Sequence, residues 1–98
     1  MGSITGFSTA AGTNVGDAVL TVPDADVAGG KFYFKAQAST APSDPAYLSE
    51  FDPTGWTAVV DDQVVSTTNG HKYRLVEVNG TGQAIASATG TVTAKTSG

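Results

Sequence analysis

Apolar positions along the chain fall in short runs with a period of two. Residues 31–38 show it most plainly: Phe32, Phe34, Ala36 and Ala38 share one face of an extended strand, and Lys31, Tyr33, Lys35 and Gln37 share the other. The first face is predicted to point inward. Residues 69–94 carry the clearest pair of strands. Asn69-Gly70 is a turn dipeptide, residues 71–79 are rich in β-branched, aliphatic and aromatic side chains, Gly80-Thr81-Gly82 interrupts, and residues 83–94 alternate small, apolar and hydroxyl residues. That order predicts a hairpin. The phase of its first strand is divided. Tyr73 and Leu75 facing inward would carry Glu77 in with them, whereas Val76 and Val78 facing inward would bury Arg74. A bulge or a one-sided edge exposure has to resolve the conflict.

The remaining elements are shorter. Residues 3–10 hold Ile4 and Phe7 among Ser, Thr and Gly, which predicts a weak first strand at an edge. Residues 11–16 read as a turn, residues 17–22 as a strand rich in β-branched side chains, and Pro23 ends that strand because it cannot donate to a ladder. Residues 24–30 are a loop closing on Gly29-Gly30. Residues 39–55 contain Pro42, Pro45 and Pro53, with Tyr47, Leu48 and Phe51 as the large apolar groups. Three prolines exclude a regular central strand and a long helix, and loops of more than about 12–15 residues tend to carry function. Residues 56–60 form a strand, Asp61-Asp62 turns it, and residues 63–66 are expected to pair back on it.

Six or seven strands with no long helix predict an all-β, antiparallel sandwich or barrel. The expected core is Leu20, Val22, Phe32, Phe34, Trp56, Val59, Tyr73, Leu75, Val76, Val78, Ile85 and Val92. Residues 1–98 read as one β-sandwich domain, flexible at about 1–3 and 95–98.

Composition narrows the function more than the fold. The chain has 98 residues, 40% apolar and 14% charged, so it has enough hydrophobic material for a core. Its net charge is −4, and Lys31, Lys35, Lys72, Arg74 and Lys95 form no basic stripe, which argues against nucleic acid. No apolar run approaches the ~20 residues of a membrane-spanning helix, nor does the N-terminus read as a secretory signal. With no cysteine, disulfides, thiolate nucleophiles and zinc–thiolate sites are excluded.

Catalytic chemistry finds little to work with. His71 is the one histidine, follows a turn, and lacks an adjacent nucleophile pattern, so it reads as a solvated residue at a strand start. Asp61-Asp62 reads as a turn former, since neighbouring side chains diverge. Asp24-Ala25-Asp26 resembles the opening of a calcium loop, with Gly29 in sixth place, but the twelfth place is Lys35, so it reads as a solvated loop. No cofactor, metal or catalytic residue is expected. Exposed apolar groups that could meet a partner are Tyr47, Leu48 and Phe51 in the proline-rich loop and Ile4 and Phe7 in the first strand.

Two resemblances bear on the role. Gly70-His71-Lys72-Tyr73, Leu75, Val76, Val78-Asn79 and Thr91-Val92-Thr93-Ala94 resemble the last two strands of fibronectin type III and related immunoglobulin-like domains. This implies an immunoglobulin-like sandwich. More of the chain resembles small β modules of tailed-bacteriophage virion proteins: Ala11-Gly12-Thr13-Asn14-Val15-Gly16-Asp17, Val19-Leu20-Thr21-Val22, Phe32-Tyr33-Phe34-Lys35, Trp56-Thr57-Ala58, Thr68-Asn69-Gly70-His71-Lys72, Val76-Glu77-Val78 and residues 86–94. That resemblance implies a non-enzymatic capsid decoration or head accessory protein at the virion surface. Its partners would be the major capsid protein or another virion protein, with homo-oligomers possible. The alternative is an extracellular immunoglobulin-like or carbohydrate-binding adhesion module.

Overall fold

In the computed structural model, residues 2–97 are described, and they form two β-sheets packed face to face with no helix. The strands are β1 (Gly2–Ser3), β2 (Ser8–Ala11), β3 (Asp17–Thr21), β4 (Lys31–Gln37), β5 (Thr57–Val59), β6 (Val64–Ser66), β7 (Lys72–Val78) and β8 (Ala84–Thr91). The larger sheet has the order β1-β8-β7-β4-β5 and the smaller β2-β3-β6. All neighbours are antiparallel except β1 and β8, which run parallel. This is an immunoglobulin-like sandwich. The weak first strand divides in two because Gly6 takes a φ of +86°, letting the chain leave the large sheet and continue in the small one. Of the ends expected to be flexible, Met1 and Gly98 lie outside the described residues; Gly2–Ser3 pairs with Ala86 and Ser87.

The inward faces make the main core. Ala18, Leu20 and Val22 from the small sheet meet Phe32, Phe34, Tyr73, Leu75 and Val59 from the large one, with Val65, Val92 and Ala94 filling the sides. Phe7 packs against this core with its ring 5.1 Å from Tyr73, edge on, and Tyr73 stacks on Phe34 at 5.7 Å. Such aromatic pairs add about 0.5–1.5 kcal/mol each beyond the area they bury. Gly90 stands opposite Tyr73 in the β7–β8 register, where a Cβ would lie 2.5 Å from the Tyr73 hydroxyl. Only glycine leaves room for the ring.

The divided phase of β7 has a physical answer: both of its faces are covered. Tyr73, Leu75 and Glu77 point into the sandwich, while Val76 and Val78 belong to a second cluster on the outer face of the large sheet. The register shifts between Glu77 and Val78, so that Glu77 faces Ala86 and Val78 faces Ala84. The extra residue, Ile85, is only half-buried for that reason and is not part of the core. Trp56 likewise leaves the expected inner core and joins the outer cluster. The pairing expected for residues 63–66 is corrected too. Asp62 takes a φ of +63°, its amide donates to the Leu20 carbonyl at 2.8 Å, and Leu20 donates to Gln63 at 2.9 Å. The chain thereby crosses to the small sheet, where β6 pairs with β3 and not with β5.

Candidate interaction surface

Residues 39–55 form a strap across the outer face of the large sheet. Alternation along β4 and β7 sends Tyr33, Val76 and Val78 outward, and these apolar side chains need a cover. Phe51 supplies it, with its ring 5.1 Å from both Tyr33 and Trp56, over Val76, Val78 and Ala84. The Lys35 ammonium lies 5.8 Å from the centre of the Trp56 ring. Where the strap first crosses β7, Arg74 holds it. Its Nε donates to the Pro42 carbonyl at 2.6 Å, one terminal nitrogen donates to Ser87 Oγ at 3.3 Å, and the same nitrogen lies 3.3 Å from the Asp44 carboxylate. The Arg74 side chain is 16% exposed, so these contacts lie partly out of water.

At the far edge the strap joins β8. Leu48 donates to the Ala84 carbonyl at 2.7 Å, Ala84 donates back to Ser49 at 3.0 Å, and Phe51 donates to Gly82 at 2.9 Å. Residues 46–49 close a turn, with the Ser49 amide and hydroxyl both donating to the Ala46 carbonyl. Leu48 occupies the position of this turn that requires a positive φ, at +62°, where glycine or asparagine is favoured. A leucine there costs about 1–2 kcal/mol. Nothing inside the protein repays the strain through packing, since Leu48 is 44% exposed and its neighbour Tyr47 is 57% exposed. Further along, the Asp52 carboxylate accepts the Thr54 amide at 3.0 Å, a bond that holds its pKa below the ordinary carboxylate value.

The candidate residues therefore separate. Tyr47 and Leu48 stand on the surface at the strap's edge, Phe51 lies half-buried beneath it, and Ile4 and Phe7 pack against the main core. His71 begins the β7 side of the hairpin, half-buried, accepting the Val92 amide on its carbonyl. Asp61 caps the end of β3, its Oδ1 accepting the Val22 amide at 2.9 Å. Asp24 and Asp26 are exposed in the β3–β4 loop.

Two features lie beyond the sequence reading: the partner of Glu77, whose burial is one branch of the divided phase of β7, and a groove. Glu77 is 1% exposed inside the sandwich, and its Oε2 accepts the Asp26 amide at 2.7 Å. Burial pushes the Glu77 carboxyl pKa up, the Asp26 amide offsets part of that rise, and the Asp26 charge adds to it. The second is an apolar groove of about 470 Å³ between the β3–β4 loop and the end of β5, floored by Val22, Ala25, Phe32 and Val59 and bordered by Asp24 and Asp61. Its signal in the sequence, two acidic turns at the ends of apolar strands, does not say that the turns meet.

No protein-family model matches the chain, and no curated protein matches it in sequence. Solved structures do. Domains 4–9 of the surface layer protein SbsC superpose with a TM-score of 0.76 at 25% identity, covering 92% of this chain and 14% of that one. A structure of domains 7, 8 and 9 of the S-layer protein SbsC gives 0.78 at 23% identity, covering 93% and 27%. The chain resembles surface-layer protein domains.

That finding corrects the expected likeness to bacteriophage virion modules, and with it the bacteriophage and capsid vocabulary: the similar solved structures are surface-layer domains. The residues quoted for the virion likeness are strand and turn residues of the sandwich itself, so they report the fold and not the assembly it serves. The immunoglobulin-like character of the last two strands lies within the matched fold. The chain spans a seventh to a quarter of the surface-layer chains it matches.

Proposed function

We propose that this chain is a non-enzymatic structural module of a cell-surface layer, an extracellular immunoglobulin-like domain that works through contacts with neighbouring modules. The observation that carries the reading is the superposition on surface-layer domains over 92% of the chain. Geometry supports it. Gly2 lies beside Ala86 near the start of β8, while Lys95 lies past the opposite end of the sandwich, its amide donating to the Asp17 carbonyl at 3.0 Å. Gly2 and Lys95 therefore lie toward opposite ends of the sandwich. Its long dimension is 41 Å against 25 and 22 Å across.

Within that role the Tyr47–Leu48 turn is the lateral contact. It presents apolar side chains on a strained, hydrogen-bonded backbone, so little further ordering is lost when a partner covers them. Individual contacts of this size are weak, and an array makes them effective by repetition. The test is antibody labelling of intact and permeabilised source cells, with extraction of the envelope by chaotrope. Labelling of intact cells and release with the surface layer are expected; labelling only after permeabilisation would overturn the reading.

A further inference from the structure

The two poles of the sandwich differ in charge and in shape. At the pole where β3 ends and β4 begins, the apolar groove of about 470 Å³ is lined by Val22, Phe32 and Val59, with exposed Asp24 and Asp61 beside it. Asp26 and Asp62 are exposed on the same two turns, and Lys31 is the cation that lines the groove. This pole is acidic around an apolar opening.

The opposite pole has the complementary character. Val15 is 59% exposed at the tip of the β2–β3 loop, and Gly16 beside it donates its amide to the Lys95 carbonyl at 2.9 Å. The bond ties the Lys95 backbone beside the loop tip, and Val15 and Lys95 line the same shallow hollow. Lys72 lies at this end too, its ammonium donating to Thr91 Oγ1 at 2.7 Å, next to His71; the acidic group here is the half-buried Asp17. Two copies meeting by like poles would set carboxylates against carboxylates or ammonium groups against each other. Two copies meeting head to tail would set Lys95 and Lys72 toward Asp24 and Asp61, with an apolar side chain entering an apolar groove.

We propose that a second copy of this chain docks end to end on the first, its Val15–Lys95 pole seated on the groove bordered by Asp24 and Asp61. The contact is heterologous, so it propagates into a row and does not close into a dimer. It rests on the reading of the chain as a structural module and adds a direction to it: the docking axis runs along the line from Gly2 to Lys95. A single contact is weak, because one groove and one loop tip fall below the area of a stable interface, about 800 Å² per partner. Copies joined in series raise the local concentration and make the same contact persistent.

Sedimentation velocity of the 98-residue chain tests the proposal over a concentration series up to about 1 mM, a range that detects weak millimolar contacts. The mean sedimentation coefficient is expected to rise with concentration at about 20 mM NaCl and to rise less at about 500 mM, where charges are screened. Lys95→Glu and Asp24→Lys are each expected to abolish the rise, and the two together to restore it. Both side chains lie outside the core, and circular dichroism confirms that the variants fold. A wild-type chain that stays monomeric throughout overturns the proposal, as does association that the single charge reversals leave unchanged or the double reversal fails to restore. Surface location is read by antibody labelling alone, so a chain that stacks but lies inside the cell would sink the surface reading and leave this one standing.

Discussion

The two outer faces of the sandwich carry similar residues and meet different fates. On the large sheet, Val76 and Val78 are 0% and 4% exposed because the strap lies over them. On the small sheet, Ala10, Val19 and Val64 stand in one cross-strand row, and Val64 is left 52% exposed. The difference follows from how each sheet is wired. β7 is flanked by β4 and β8, and its outward residues are valines on a central strand; residues 39–55 leave β4 at one end and return to β5 on the same sheet, so crossing that face is their direct route. In the small sheet β2 and β3 are joined by the short turn of residues 12–16, and β3 reaches β6 only by way of β4 and β5 in the large sheet. A long proline-rich loop is here a second layer of the fold.

The widest split between the faces should come from truncating one apolar side chain on each. Phe51→Ala removes the ring that bridges Tyr33 and Trp56, and it should lower stability by about 3 kcal/mol, toward the low end for a large aromatic because Phe51 is only half-buried. Val64→Ala should stay within about 0.5 kcal/mol, as exposed positions do. Urea unfolding of the pair measures both, and equal losses would erase the distinction. Arg74→Ala comes next. It strips the strap of its bond to Pro42 and its pairing with Asp44, and should cost about 2 kcal/mol, because hydrogen bonds to partly buried charged groups exceed neutral ones. A loss of only a few tenths would mean that the strap holds itself in place without it.

Leu48→Gly should move stability the other way or leave it level. Glycine relieves the positive φ, worth about 1–2 kcal/mol, offset by about 0.5–1 kcal/mol for the freedom it adds to the unfolded chain. A fall of more than ~1 kcal/mol would show that Leu48 packs within the molecule and is no contact residue.

Glu77 supplies the smallest effect, one of slope. Its folded carboxyl pKa lies above the unfolded value because it is buried, so its contribution to stability is fully present below the unfolded pKa and is lost as pH rises through the folded one. Melting temperature should therefore decline across that rise in the wild type and decline less in Glu77→Gln, which keeps an acceptor for the Asp26 amide. Parallel profiles would mean that the carboxylate is better compensated than its surroundings suggest.

Much of this was readable in the sequence, and for a definite reason. Period-two patterns report which residues share a face, so Phe32 with Phe34, Tyr73 with Leu75, and the hairpin after Asn69 all follow from local alternation. Local pattern cannot report what lies above a face. Trp56 was expected inside because large aromatics usually bury; it does lie under apolar cover, but on the other side of the sheet, where residues that follow β4 in sequence return over β7. β6 was expected beside β5 because hairpins join neighbours, and only the backbone bonds between Leu20 and residues 62–63 redirect it. Glu77 is the clearest limit. Its burial was one branch of the divided phase of β7, but its partner, the Asp26 amide, lies 51 residues away, a distance that no period can bridge. For the candidate surface the sequence named Tyr47 and Leu48 as apolar groups in a loop, and the strained turn that displays them is a property of three-dimensional closure.

Hydrogen exchange of the strap amides tests most directly the claim that residues 39–55 are a built layer displaying a rigid turn. Leu48, Phe51 and Ala84, whose amides bond across the strap and β8, should exchange with protection close to that of Val76 in the central strand. Exchange at the rate of an unstructured chain for Leu48 and Phe51, with Val76 still protected, would contradict the account: the strap would then be a loose loop, and the Tyr47–Leu48 turn no preformed surface at all.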